Sequence, residues 1–113
     1  MRPVVLFLCA FAIAFAPAAI NAATGRCVLQ VARKTYLDEQ CEIAINDDQG
    51  SFSIGVGERH RSKYFAYVNI DSDGARGYWN ETSGSNHAHT SLGKLKRNGA
   101  CWENKTARVC AYR

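Results

Sequence analysis

The sequence predicts an all-β domain, a small antiparallel barrel or sandwich stapled by two disulfides, with little or no helix. Three observations carry this prediction. Short β-branched and aromatic runs recur at about eight-to-twelve-residue spacing, each closed by turn residues. No window longer than about ten residues sustains helical periodicity. Cys27, Cys41, Cys101 and Cys110 fall where strand pairs can bring them together.

The first element is a leader. The chain has 113 residues, is 47% hydrophobic and carries a formal charge of +4. Met1–Ala22 contains one charge, Arg2, then the apolar run Val4–Phe15, Pro17 and small residues up to Ala22 and Ala23. A basic start, an apolar core and a small-residue exit make a secretory signal peptide, cleaved after Ala22 or Ala23. The run is shorter than the ~20 residues of a transmembrane helix, so no membrane span is expected after cleavage. Removing 22 of 113 residues leaves 91, of which 35, or 38%, are hydrophobic. Thirteen Lys and Arg against ten Asp and Glu give this part a charge of +3. Residues 23–113 are expected to form one secreted or periplasmic β domain. So mild a positive charge gives no dense basic patch, and nucleic acid is not an expected partner.

The strands follow in order. Cys27–Val31 is β-rich, and Ala32–Thr35 can turn. Cys41–Ile45 alternates, and Asn46–Gly50 is a turn cluster. Ser51–Gly57 places Phe52, Ile54 and Val56 on one face. Gly57–Ser62 is a polar connection. Lys63–Ile70 is apolar on both faces and reads as a central strand. Asp71–Gly74 turns into a strand from Ala75 to Asn80 that carries Tyr78 and Trp79. Glu81–Asn86 is a loop, and His87–Leu95 is read as a further strand. Asn98–Gly99 is a hairpin signal. Ala100–Glu103 and Ala107–Tyr112 close the chain.

Cys9 leaves with the leader, and four Cys remain. An even number in a short exported chain reads as two disulfides. Each pair, Cys27–Cys41 and Cys101–Cys110, straddles a plausible turn and would lie directly opposite across two antiparallel strands. The alternative is a cross-staple, Cys27–Cys110 with Cys41–Cys101. No C-x-x-C occurs, which speaks against zinc held by Cys.

Candidate sites cluster in loops. Arg59, His60 and Arg61, with Lys63, form a basic group suited to an anionic surface. His87 and His89 would share a strand face and could meet one metal, given a third ligand from His60, Asp71, Asp73 or Glu81. Two His without a second motif are expected to be solvent-exposed, so no metal and no cofactor are expected. Asp71–Gly74 hints at calcium, but a calcium loop wants a Glu at its twelfth position, where Thr82 stands. Tyr64, Tyr67, Tyr78, Trp79 and Trp102 could build a binding face, with the two Trp expected in the core. G-x-S-x-G, H-E-x-x-H and a phosphate-binding Gly loop are all missing, so an enzyme is not expected. Asn80 and Asn104 each begin a glycosylation sequon.

One stretch resembles a known family. Val68–Arg76, which includes Ser72 and Asp73, is followed by Tyr78 and Trp79. It is similar to the signature region of the periplasmic and membrane-bound inhibitors of C-type lysozymes. That resemblance implies a small exported antiparallel barrel whose signature loops plug the lysozyme active site. In the second family signature a Trp precedes Lys-Gly, whereas Trp79 precedes Asn80-Glu81-Thr82. A net basic chain is also expected to be poorly steered to a cationic lysozyme.

The functional expectation is an exported binding module. A rigid scaffold would present recognition loops at Gly57–Ser62, Asp71–Gly74 and Glu81–His89 to a protein or surface ligand outside the cytoplasm. A lysozyme-inhibitor-like protein and a His87/His89 metal-binding domain are the alternatives.

Overall fold

The computed structural model describes residues 21–58 and 60–113. The expected leader lies outside them, apart from its last two residues. Eight strands follow in chain order: β1 Asn21–Val31, β2 Lys34–Ile45, β3 Phe52–Val56, β4 Arg61–Asp71, β5 Gly74–Trp79, β6 Thr90–Asn98, β7 Cys101–Glu103 and β8 Ala107–Tyr112. Each pairs antiparallel with the next, and β8 pairs with β1. The sheet is therefore a closed barrel, and no helix occurs among the described residues.

Period-two alternation fills the interior. Leu29, Ile43, Ile54 and Val68 are fully buried, and Phe52, Trp79 and Leu95 nearly so. They belong to one apolar cluster enclosed by the ring of strands. Full burial of each such aliphatic side chain contributes about 1.5–3 kcal/mol. Two close backbone approaches need glycine. A Cβ on Gly25 would collide with the Tyr112 carbonyl oxygen, at the β1–β8 seam. Gly55 sits at φ +84° where the β3–β4 register shifts, and a Cβ there would press on the Tyr64 carbonyl.

Both expected disulfides are present, Cys27–Cys41 and Cys101–Cys110. Their geometries differ. Cys101 lies directly opposite Cys110. Cys27 instead lies opposite Glu39, and Cys41 opposite Gly25, so the first bridge runs diagonally with a Cα separation of 5.9 Å. The expected direct pairing fails because the turn centres on Ala32 and Arg33, earlier than residue 34. The one-residue bulge at Tyr36 then brings Cys41 to within two positions of Cys27's partner and onto the same face. Cys27 and Cys41 belong to the interior cluster. Cys101 and Cys110 form a second small cluster with Val28 on the outer wall.

The β1–β2 turn is tight and strained. Val31 pairs with Lys34, which leaves Ala32 and Arg33 as the whole loop. Both have positive φ, 53° and 70°. Such a turn normally takes Asn-Gly, because a Cβ disfavours this backbone region. The turn was expected over Ala32–Thr35 and the next strand only from Cys41; in the barrel Lys34–Gln40 is already the first half of β2.

Other differences are local. The β6–β7 hairpin turns on Gly99 and Ala100, and Asn98 remains in β6. The apolar outer face of β4 does not make it a central strand, since a closed ring has no centre. Phe65 points outward yet is only 1% exposed. The connection after β5 folds back onto this wall, as the hydrogen bonds described below establish.

Candidate binding site

A meander reverses at every connection, so alternate connections lie at opposite ends of the barrel. The β1–β2, β3–β4, β5–β6 and β7–β8 connections share one end, here the loop end. The β2–β3, β4–β5 and β6–β7 connections share the other, together with the start of β1 and the end of β8. This is the mouth end. The three expected recognition loops therefore do not form one surface. Gly57–Ser62 and Glu81–His89 meet at the loop end, while Asp71–Gly74 lies at the mouth end.

The loop end is built around a gap in the wall. β3 has five residues, against twelve in β2 and eleven in β4. Beyond Val56 the wall between β2 and β4 is not bridged by a strand. A lateral cleft of about 400 Å³ opens there, lined by Tyr36, Leu37, Glu39 and His60–Tyr64. Its floor is aromatic. Tyr36 and Tyr64 meet edge to face at 5.0 Å, and Trp79 lies 4.7 Å from Tyr36. Lys34 places its ammonium 5.1 Å above the Tyr36 ring. Ser62 is buried and donates to a Glu39 carboxylate oxygen at 3.3 Å. His60, Arg61 and Lys63 are exposed along the rim. Among the described residues no hydrogen bond joins His60 to Ser62, whose hydroxyl is directed to Glu39.

Two asparagines brace this end. Asn80 is 1% exposed. Its carbonyl oxygen accepts the Phe65 N–H at 2.7 Å, and its amide nitrogen donates to the Lys63 and Ser85 carbonyls at 2.9 and 3.1 Å. The Gly84 N–H adds a further bond to Lys63. Together these bonds fold the β5–β6 loop onto β4 over Phe65. Asn104 acts in parallel. Its nitrogen donates to the Leu92 and Lys94 carbonyls, and its oxygen accepts the Thr106 and Ala107 N–H groups. Both sequon amides are thus engaged by backbone in the folded barrel. Arg61 completes the bracing by donating to the Asn86 side-chain oxygen at 2.8 Å, which joins two of the expected recognition loops.

The other expected residues fall as follows. Arg59 lies outside the described residues. His87 and His89 lie in a loop, because β6 starts only at Thr90, so the expected shared strand face does not exist. Their rings nonetheless stack 5.0 Å apart. Among the described residues no group of three His, Cys, Asp or Glu is placed to hold a metal. Ser72 and Asp73 form the exposed β4–β5 turn, where the Asp73 N–H donates to the Asp71 carboxylate. Arg76 is exposed and Tyr78 half-buried on β5, and Tyr78 pairs across to Tyr67. Trp79 fills the core as expected. Trp102 is only half-buried, at the mouth.

Both ends carry both signs: Glu58 and Glu81 stand in loop-end connections, and Arg97 and Arg113 at the mouth. Asp47, Asp48, Asp71 and Asp73 all stand in or beside mouth-end turns. Hydrogen bonds from Ser51 and then the Gln49 amide hold the Asp47 carboxyl below the usual aspartate range. Arg33, Lys34, Arg61, Lys63 and Lys105 stand at the loop end. Among the described residues the ion pairs are Arg26–Asp38 and Glu103–Arg108, so these loop-end cations are free of ion pairs. Comparison with protein-family models, curated proteins and solved structures finds no match to this chain.

Proposed function

We propose that this chain is an exported binding module that recognises an acidic surface on a protein or envelope ligand through its loop end. The observation that carries this is the joining of two loops at one cleft. Arg61 bonds to Asn86, and exposed His60, Arg61 and Lys63 surround an aromatic floor. Unpaired cations over half-buried aromatics suit an acidic partner, by charge and by apolar contact. The two disulfides fit an oxidising compartment, and no helix among the described residues is long and apolar enough to cross a membrane.

Affinity capture from the native extracytoplasmic compartment tests this, with the wild type and an Arg61→Glu/Lys63→Glu variant as parallel baits. The partner retained by the wild type is expected to be lost by the variant and by raised salt. Equal retention by both baits overturns the reading.

Inhibition of a C-type lysozyme is a second reading. The closed antiparallel barrel is the fold that the resemblance implies. The signature stretch turns at the mouth end, where exposed Asp71 and Asp73 stand with Asp47 and Asp48, and local acids of this kind suit a cationic lysozyme in spite of the net positive charge. Stoichiometric suppression of cell-wall lysis is the expected result, and undiminished lysis at excess protein removes the reading.

A further inference from the structure

The mouth end is open where the loop end is filled. A cavity of about 300 Å³ enters the barrel interior there. Its apolar wall comes from Ile43, Ile45, Phe52, Ile70 and Trp102. The charged residues lining it are Arg97 and Arg113, with no acid among them. Alternation explains how two guanidiniums come to edge a core. Leu95 faces inward on β6, and Arg97 is two residues further on. Val109 and Ala111 face inward on β8, and Arg113 is two residues past Ala111. Both inward-facing stripes therefore end in arginine at the mouth. Arg97 rests over the Trp102 ring at 6.0 Å and donates its Nε hydrogen to the Gly99 carbonyl. Neither arginine pairs with a carboxylate among the described residues. Of the acids in the mouth-end turns, Asp47 and Asp71 accept hydrogen bonds within their own turns.

We propose that this mouth binds an aliphatic carboxylate, with the tail on the Ile43–Phe52–Ile70–Trp102 wall and the head between Arg97 and Arg113. Apolar lining with few convergent polar groups is the usual composition of a small-molecule site, and this volume lies at its lower limit. Guanidinium groups match a carboxylate by paired hydrogen bonds as well as by charge. The proposal concerns the opposite end from the acidic-partner reading, so neither depends on the other.

Octanoate is the probe, added to the full mature domain and followed by calorimetry and by tryptophan emission. One-to-one saturable binding is expected, with an emission change that Trp102→Phe abolishes and Trp79→Phe keeps. Arg97→Gln with Arg113→Gln is expected to weaken octanoate about tenfold. Both residues are exposed, so the unfolding temperature should stay unchanged. Octanol is expected to bind more weakly than octanoate, and octyltrimethylammonium not to bind at the mouth. Absence of saturable binding, equal affinity for octanol, or full affinity in the double variant each overturns the proposal.

Discussion

The two ends of this barrel close by different means. At the loop end Tyr36, Tyr64 and Trp79 fill the interior, and Asn80 and Asn104 tie loops to strands. At the mouth end the interior is left open between Ile45, Ile70 and Trp102, and covalent bonds stand close by. Cys101 follows the mouth-end turn directly, and Cys27 lies opposite Ala111, which lines the mouth. The contrast teaches that aromatic packing and amide clasps can substitute for a cross-link. An unfilled end needs its strands held by something other than their side chains.

Opening the disulfides should break this contrast most severely. Each bridge is worth about 2–4 kcal/mol, a large share of the stability of so small a domain. In denaturant with reductant, Trp102 emission is expected to change before Trp79 emission, because the mouth end loosens first. Simultaneous changes at an unaltered midpoint would erase the distinction. The clasps come next. Asn80→Ala leaves the Phe65 N–H and the Ser85 carbonyl without their partner, and the Lys63 carbonyl with the Gly84 N–H alone. A loss of about 3 kcal/mol is expected from the denaturation midpoint, with oxidised disulfides giving no protection.

Gly25→Ala tests the seam near the mouth. The new methyl would meet the Tyr112 backbone, and overpacking of this kind costs about 1–3 kcal/mol. A midpoint equal to wild type would mean that the seam yields freely. At the loop end, Ala32→Asn with Arg33→Gly should raise stability by about 1 kcal/mol, by relieving two residues at positive φ. The smallest effect is electrostatic. The Asp47 carboxyl is held below its ordinary 3.8 by Ser51 and Gln49, and that of Asp38 by its hydrogen bond from Arg26. A lowered folded-state pKa gives stability that is present above the unfolded value and lost as pH falls through the folded one. The mouth-end β2–β3 turn should therefore weaken below pH 3.8 in the wild type, and Asp47→Asn should remove that part of the acid dependence.

Most of the strand order was legible because alternation and turn residues are local signals. Phe52 and Ile54 face inward as their spacing demands. Both disulfides were legible as hairpin staples, since sequence separation reports them. The first half of β2 was hidden because the bulge breaks its alternation: Tyr36 and Leu37 are adjacent yet both pack on the core, and inward Glu39 faces a cleft. The roles of Asn80 and Asn104 were hidden for another reason. Their spacing matches a sequon, and only the fold reveals which carbonyls their amides reach. His87 and His89 were misplaced because β5 ends at Trp79, whose partner is Thr90, so no strand lies opposite either histidine. The open mouth is lined from six strands, which no single segment encodes.

The disulfides also determine where the ring can open. Each bridge lies within one hairpin, β1 with β2 and β7 with β8. The seam between β1 and β8, from Arg26–Tyr112 to Val31–Ala107, carries no covalent tie. The barrel can therefore uncurl into a single stapled sheet without breaking a sulfur bond. It cannot close until Ala107–Tyr112 has emerged to meet β1, so ring closure waits on pairing distant in sequence, which is slow. A chain in transit across a membrane would thus carry its first staple early and gain its cylinder last.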